Sequence, residues 1–465
     1  MSAAPAVAAR PVVSASPSLP VGLSALRLMV ATCYFIYIPV SLFRSEFFLF
    51  LLDGLLAVAV LMALTSRAFT TYAARHGMVL AAMAAYTGCT VFAWLVLSDA
   101  ATMDSLKTLR NLLYCVGIFV VALTYITDRR RLEALLHLMM VLTLFAALYG
   151  FRQAIFGYWD FEIERLSKMG SSLGEIILLG RLRLTSTFGD PLLCGFYMMA
   201  GLFTLRARSQ IGTGGDWRAA SYAFAALASF AVLVASLTRA PLLGLFVGAG
   251  TAFLFESSLT IRSLRRFLAV TLAAAAFIFV VLWAYGSGAL ANSTNAALRF
   301  LDTALGSVWS LLNLFAGAQD ADSYVLVGQS RDARLRAWGE GLSYLAREPL
   351  GAGFTHTGTF SFAIGDTGVL QVALLIGVPG ALAFASLMLL PLVKGMRALR
   401  ATVDRRDRRC LAAILGFWVA FGVTTGISSL ATSSAVSIVA WLFAAVLINA
   451  RIIFGAPAAP VGGAA

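Results

Sequence analysis

Long apolar stretches separated by short polar ones run along most of this chain. The apolar stretches reach about twenty residues, the length a helix needs to cross a bilayer, and they are continuous rather than alternating. Lipid offers no hydrogen-bond partners, so only helices and closed barrels satisfy their backbone groups there. The pattern therefore predicts an all-α fold, a polytopic bundle of about twelve transmembrane helices.

The predicted spans divide the chain into five regions. These are a flexible tail (1–22), nine spans with a first long loop at 154–189 (23–286), a second long loop (287–365), three more spans (366–453) and a second tail (454–465). The predicted spans are 23–43, 47–66, 77–98, 109–127, 132–153, 190–206, 219–237, 240–256, 266–286, 366–393, 411–429 and 433–453. Loops as long as these two usually carry function.

Lysine and arginine lie mainly on one side of the predicted bundle. If the N-terminus is cytoplasmic, the cytoplasmic side holds 20 of the 35 basic residues, and the short loops opposite hold only 4. Because positive residues favour the cytoplasmic side, we expect a multi-pass membrane protein with both termini cytoplasmic and both long loops on the outer side. The net charge of +13 is then mainly a topology signal. Nucleic acid is not an expected partner, since the cations form small groups at helix ends.

The composition excludes several other classes. Only 12% of residues are charged and 60% are hydrophobic, whereas soluble domains carry roughly a quarter charged residues. The five cysteines include no CxxC pair and the three histidines are far apart, so we expect neither a disulfide framework nor a metal site. No GxxxxGK[ST] sequence is present, which argues against a P-loop. No cofactor is expected.

Several arginines lie on the predicted outer side, against the general excess of Lys and Arg on the cytoplasmic side. They are Arg181 and Arg183 before the sixth span, Arg239 in the short turn between the seventh and eighth spans, and Arg331, Arg334 and Arg336 in the second long loop. The arginine side chain stays charged and donates two parallel hydrogen bonds, which suits phosphate. Arginines facing one cavity would bind a pyrophosphate group. The alternative is that each arginine snorkels to the interface or caps a helix.

Two residues on the same side are candidate general bases. Asp366 stands at the start of the tenth predicted span, and His356 is a histidine of the second long loop. Either could accept a proton from a hydroxyl group if its surroundings tune its pKa. The alternatives are a capping role for Asp366 and plain solvation for His356. Asp190 precedes Pro191 and is expected to be an N-cap.

The second long loop contains two predicted helices. Residues 299–316 are apolar nearly all round and are expected to lie on the membrane surface or against the bundle. Residues 331–347 are amphipathic, and Pro349 is expected to end that helix. Its apolar stripe consists of Leu335, Trp338, Leu342 and Leu345.

Three stretches resemble the bacterial superfamily of O-antigen ligases and O-antigen or exopolysaccharide polymerases. RLTSTFGDPLLCGFYM (183–198) resembles the family's arginine, its Gly–Thr–Phe-like run and its Asn–Pro before a span. SLTRAPLLGLFVG (236–248) resembles its Ser–Arg–Gly turn before an apolar helix. RLRAWGEGLSYLAREPLGAGF (334–354), with GDTGVLQVALLIGVPG (365–380), resembles its Arg, Trp and Pro–Leu–Gly–Gly block and the next span.

The resemblance implies a metal-independent glycosyl transfer. A glycan carried on undecaprenyl pyrophosphate would pass to an acceptor hydroxyl, and Arg183, Arg239 and Arg334 would steady the leaving pyrophosphate, with Arg181 and Arg336 nearby. The implied partners are the lipid-linked glycan and membrane lipid, with a chain-length regulator as a further candidate. Ligases typically show His–Asn where this chain has Asp366–Thr367, which favours a polymerase over a ligase that transfers glycan to the lipid A core.

A transporter or flippase is the alternative from another class. Major facilitator proteins carry a Gly- and Arg-rich loop between their second and third spans, and SRAFTTYAARHG at that place does not resemble it. Their largest loop is also cytoplasmic, whereas the long loops here are predicted to be periplasmic. The chain shows no clear internal repeat.

Overall fold

Helices make up nearly all of the structure, a computed structural model. It describes residues 20–35, 37–42, 47–98, 102–168, 177–178, 181–211, 216–236, 238–256, 336, 338–354, 368–428, 430 and 433–455. Outside these ranges lie both tails, the ninth predicted span and the predicted helix at 299–316. The predicted all-α class is confirmed within the described ranges, where a pair of two-residue strands is a minor addition.

Fourteen helices follow one another along the described chain. They are α1 (Pro20–Phe35), α2 (Tyr37–Leu42), α3 (Phe47–Leu64), α4 (Arg67–Arg75), α5 (Gly77–Val96), α6 (Met103–Tyr125), α7 (Arg129–Phe156), α8 (Asp160–Lys168), α9 (Pro191–Ile211), α10 (Asp216–Ala235), α11 (Arg239–Glu256), α12 (Gly368–Ala401), α13 (Arg405–Gly426) and α14 (Ser434–Ile453). The strands β1 (Ile177–Leu178) and β2 (Arg181–Leu182) pair antiparallel between α8 and α9.

Polar residues set where several of the helices begin. The side chains of Ser66, Thr102, Asp128 and Asp404 each accept a hydrogen bond from a backbone N–H in the first turn of α4, α6, α7 and α13. Such caps satisfy backbone donors that lack a partner within the helix. The apolar runs between the caps then continue as uninterrupted helix.

Seven described helices are long and apolar enough to cross a membrane, namely α5, α6, α7, α11, α12, α13 and α14. A break that bends the chain by 71° joins α3 to α4, and this pair would make an eighth span. Helices also occupy the predicted positions of the first, sixth and seventh spans, although α1, α9 and α10 are not among these seven. The predicted count of twelve is therefore not confirmed.

The core lies along α13 and α14. Of the most apolar stretch of α14, 89% is buried inside the bundle, against 28% for the corresponding stretches of α5 and α11. Large aromatic side chains fill this core, with Trp418 5.4 Å from Trp441 and Phe417 4.7 Å from Phe443 between ring centroids. Edge-on and tilted pairs of this kind add to the stability that buried area provides. The outer helices present the remaining apolar surface.

Two glycines allow α11 to approach α13 closely. A Cβ atom at Gly248 would collide with the carbonyl oxygen of Gly416, and one at Gly416 would lie 2.5 Å from the carbonyl oxygen of Gly248. Small residues at helix interfaces allow the backbone contact that drives packing in lipid. This contact lies in the middle of α11, and nearer its start Thr424 Oγ1 of α13 donates to the Ala240 carbonyl (3.3 Å).

Basic residues gather at one end of the bundle, which we call the basic end. Arg129 pairs with Asp407 (3.1 Å), Arg206 with Glu256 (2.6 Å) and Arg208 with Glu133 (3.1 Å) at this end. The other end, where α7 finishes and α9 and α11 begin, is called the opposite end. The sequence prediction assigns the basic end to the cytoplasm and the opposite end to the periplasm.

Candidate functional site

The chain before α9 turns into the bundle at the opposite end. Residues Leu184 to Phe188 are all buried, and Phe188 stacks on Tyr197 with ring centroids 4.3 Å apart. Ser186 adopts a positive φ of 49°, a conformation that non-glycine residues rarely adopt and that surrounding contacts must stabilise. A loop segment is thus held inside the bundle beside the first motif arginine.

Gln153 of α7 provides those contacts. The Ser186 N–H donates to Gln153 Oε1 (2.7 Å), and Gln153 Nε2 donates to the Ser186 carbonyl (3.2 Å) and to Thr185 Oγ1 (3.3 Å). Gln153 is fully buried. One amide side chain therefore satisfies both backbone groups of the strained residue.

A carboxylate just after α7 holds Gln153 in turn. Glu162 accepts hydrogen bonds from Gln153 Nε2 (2.7 Å), Tyr149 Oη (2.9 Å) and Arg152 Nη1 (3.1 Å). The Arg152 guanidinium also stacks on Trp159, 3.4 Å from the ring centroid. The sequence analysis did not identify this network, and its only signal was a cluster of polar and aromatic residues at the end of a predicted span.

Tyr158 fixes the backbone of Arg183. Its hydroxyl donates to the Arg183 carbonyl (2.6 Å) and accepts from the Thr185 N–H (3.1 Å). Burial raises the pKa of Tyr158, because a charged phenolate is poorly solvated away from water. The phenol therefore stays protonated and remains a donor near neutral pH.

The segments that contain Arg183 and Arg239 meet at the opposite end. Leu184 N–H donates to the Ala235 carbonyl (3.3 Å), and Arg183 Nε donates to the Ser236 carbonyl (3.3 Å). Ser236 and Thr238 share a hydroxyl hydrogen bond of 2.7 Å in the same turn. Arg239 follows as the first residue of α11 and is exposed. Arg183 thus makes this contact itself, and Arg239 lies three residues along the chain from Ser236.

The third motif docks on α12 and α5. Residues 338–347 are helical and end before Pro349, as predicted. Ala352 N–H donates to the Leu374 carbonyl (2.7 Å), and Phe354 N–H donates to Ser98 Oγ (3.1 Å) after the end of α5. Arg336 is exposed at the start of this motif. These contacts of the motif are with α12 and the end of α5, whereas Arg183 precedes α9 and Arg239 begins α11.

A break in α12 receives this motif. Gly377 has a φ of 73°, and the N–H of Val378 donates to the Pro349 carbonyl (2.8 Å) instead of to its own helix. Gly351, with a φ of 93°, faces the break, where a Cβ atom would lie 2.5 Å from Gly377 N. Left-handed conformations are open to glycine at little cost, so the two glycines permit backbone-to-backbone docking.

The face that packs differs from the predicted apolar stripe. Leu345 is buried against Leu374 of α12, but Trp338 and Leu342 are 41% and 60% exposed. Gly341 is buried instead. It lies so close to α12 that a Cβ atom at this position would touch Leu370. Close approach of a glycine to α12 thus decided the packed face.

The remaining predicted site residues differ in how much of each the structure describes. Asp190 Oδ1 accepts from the Leu193 N–H (2.8 Å), which confirms it as the N-cap of α9. Arg181 lies in β2, where the backbone alone is described. His356, Asp366, Arg331 and Arg334 lie outside the described residues.

An ion pair between spans was also missed by the sequence analysis, which took the spans as nearly free of charge. Arg110 Nε of α6 lies 2.9 Å from the carboxylate of Asp53 in α3, and both side chains are partly buried. Pairing removes much of the cost of holding two charges within apolar helices. We interpret this pair as a link that holds α3 against α6.

The fold defines a multi-pass helical membrane protein with a polar network at one end. Within the described ranges, no group of three or more His, Cys, Asp or Glu side chains could hold a metal ion. No family model matches this sequence, and comparison with curated proteins gives no significant match. The resemblance to glycan polymerases and ligases therefore stands on the quoted motifs alone.

Proposed function

We propose that this protein is a polymerase of undecaprenyl-pyrophosphate-linked oligosaccharide repeat units, for O-antigen or exopolysaccharide, on the periplasmic face of the inner membrane. The observation that carries the proposal is the meeting of the Arg183 and Arg239 segments through the Leu184–Ala235 and Arg183–Ser236 hydrogen bonds. Arginines so placed at the opposite end suit a pyrophosphate group at the membrane surface.

The proposed reaction is a metal-independent displacement. The acceptor hydroxyl of one repeat unit attacks the anomeric carbon of the glycan on the lipid carrier. The new glycosidic bond forms, the bond to pyrophosphate breaks, and undecaprenyl pyrophosphate leaves. The hydroxyl proton passes to a base, for which Asp366 and His356 are the candidates. Guanidinium groups of Arg183 and Arg239 stabilise the charge that grows on the leaving group.

Arg181, Arg331, Arg334 and Arg336 are further candidates for binding the lipid-linked substrate. Arg181 precedes Arg183 by two residues, and Arg336 lies at the opposite end on the motif that docks into α12. We expect removal of these arginines to weaken binding of the lipid-linked substrate more than it lowers turnover.

A deletion and rescue experiment tests the proposal. The gene is deleted in its host, and surface glycan is resolved on gels after rescue with wild type, Arg239→Ala or Arg183→Ala at matched membrane levels. We expect wild type to restore polymer and both variants to leave single repeat units, with activity lowered by about a hundredfold or more, as for loss of one transition-state donor. Arg130→Ala is the matched control, since Arg130 is an exposed arginine at the basic end.

Other outcomes point to the alternatives. Full-length polymer that stays on the lipid carrier in the deletion strain would indicate a ligase. Lipid-linked units that accumulate on the cytoplasmic leaflet would indicate a flippase. Full rescue by Arg239→Ala and Arg183→Ala would contradict the role given to these two arginines.

A further inference from the structure

Five basic residues gather at the basic end, from the end of α4, the last turns of α12 and the last turn of α14. We call Arg75, His76, Lys394, Arg397 and Arg451 the His76 cluster. The ammonium group of Lys394 lies 2.9 Å from Nδ1 of His76. Arg75 is the other charge that acts on His76, and Arg397 and Arg451 are the charges that act on Lys394.

The His76 cluster differs from the rest of the basic end because it contains no carboxylate. Glu133, Glu256 and Asp407 pair with Arg208, Arg206 and Arg129, Asp128 pairs with Arg131, and Asp404 caps α13. Within the described part of the chain, no ion pair joins a carboxylate to Arg75, Lys394, Arg397 or Arg451. Like charges held together repel one another, and a bound anion would relieve this repulsion.

The cluster also presents buried hydrogen-bond donors. A lysine ammonium can only donate, so Nδ1 of His76 accepts and the ring proton lies on Nε2. That Nε2 atom and the hydroxyl of Tyr72 are both buried, and neither has a hydrogen-bond partner among the described residues. The rings of Tyr72 and His76 are tilted by 32° with centroids 4.4 Å apart, and Tyr72 is only 6% exposed. Buried donors of this kind usually have an acceptor.

The neutral imidazole of His76 can accept from Lys394 at Nδ1 while it keeps a proton on Nε2. Burial, together with the charges of Lys394 and Arg75, lowers the pKa of His76 to about 4. The ring is therefore uncharged near neutral pH and retains its Nε2 proton. The ligand that suits several cations and two donors is a group that only accepts hydrogen bonds, and phosphate oxygens have this property.

We propose that the His76 cluster binds the phosphate of an anionic membrane phospholipid. His76 directly precedes α5, Lys394 and Arg397 lie in the last turns of α12, and Arg451 lies in the last turn of α14. These three helices are long and apolar enough to span a membrane. The cluster thus stands where lipid headgroups meet the protein, and basic sites between helix ends are suited to anionic headgroups. The proposal is independent of the reaction proposed above.

The test measures lipid retained by the purified full-length protein. The protein is reconstituted in nanodiscs that mix phosphatidylglycerol with phosphatidylcholine, then extracted, and bound lipid is counted by native mass spectrometry. We expect Lys394→Gln/Arg397→Gln to retain at least about tenfold less phosphatidylglycerol than wild type, since each basic residue adds to affinity for anionic lipid. The control Arg405→Gln/Arg406→Gln removes the same charge from exposed positions at the same end and should retain the wild-type amount.

Tyr72→Phe provides a second variant that should fold normally. It removes only the buried hydroxyl, and we expect severalfold less phosphatidylglycerol with an unchanged melting temperature. Equal loss in both double variants would overturn the proposal, because it would show general attraction to the basic end. Equal retention by wild type and Lys394→Gln/Arg397→Gln would overturn it as well. Displacement of the lipid by millimolar inorganic phosphate would identify free phosphate, rather than a lipid, as the ligand.

Discussion

At the scale of single residues, the site at the opposite end depends on polar side chains that satisfy one another. Gln153 bonds both backbone groups of Ser186, and Glu162 bonds Gln153. Buried polar networks stabilise one arrangement when all members are satisfied and lose it when one is removed. The position of Arg183 therefore depends on residues that themselves need not touch a substrate.

Replacing Gln153 tests this dependence. Gln153→Leu leaves both backbone groups of Ser186 without this partner and removes one of the donors to Glu162, so we expect a loss of about 1–3 kcal/mol in stability and a drop in polymer formation. Thermal unfolding in detergent and the glycan gel measure the two effects. Gln210→Leu is the control, since the Gln210 amide donates only to its neighbour Ser209 in α9. An unchanged melting temperature in Gln153→Leu would contradict the role of the network.

At the scale of elements, the break in α12 is what allows the third motif to dock on this helix. Residues 349–352 replace the missing helical hydrogen bonds at Gly377, so a loop motif and a span become one unit. Discontinuous helices are tolerated in membranes where other groups satisfy the freed backbone. The helical residues 338–347 are thereby fixed to the outer half of α12, together with the exposed Arg336.

Substitution of Gly377 should separate the loop at residues 349–352 from α12. In Gly377→Ala the residue must adopt a φ of 73° and its Cβ would collide with the Leu350 backbone, so we expect about 1–3 kcal/mol of strain. Hydrogen exchange across residues 338–354 should become faster than in wild type. Gly250→Ala is the control, because nothing lies within 4 Å of a Cβ at Gly250 in α11. Unchanged exchange in Gly377→Ala would contradict docking by this contact.

At the scale of the whole molecule, the two ends of the bundle differ in charge. The basic end collects arginines paired with carboxylates, and the opposite end holds the Gln153–Glu162 network. The positive-inside rule assigns the basic end to the cytoplasm. This assignment is required by the proposed reaction, which takes place on the periplasmic side.

Labelling of introduced cysteines tests the orientation. Asp104, whose side chain is 91% exposed at the start of α6, lies at the opposite end, and Arg130 is exposed at the basic end. We expect a membrane-impermeant maleimide to label Asp104→Cys in intact cells and Arg130→Cys only after lysis. The native protein, in which Cys33, Cys115, Cys194 and Cys410 are buried, gives the background. The reverse pattern would show that the bundle has the opposite orientation.

Much of the helical architecture could be predicted from the chain alone. Apolar runs of membrane length, polar caps such as Asp190 and a helix end before Pro349 are local features, and local features are what a sequence displays. The predicted number of spans is not confirmed, and the 71° bend from α3 into α4 was not predicted, because hydropathy does not show the direction in which a helix runs. The residues chosen as candidate bases lie outside the described ranges and stay predictions.

Sequence alone determined that this chain is a helical membrane protein and which arginines stand outside its basic side, because hydropathy and charge act on each segment separately. Only the tertiary structure decided that the Arg183 and Arg239 segments meet, that Gln153 and Glu162 hold them, and that Lys394 contacts His76 across 318 residues. These contacts join residues distant in sequence, and their formation depends on how whole helices pack.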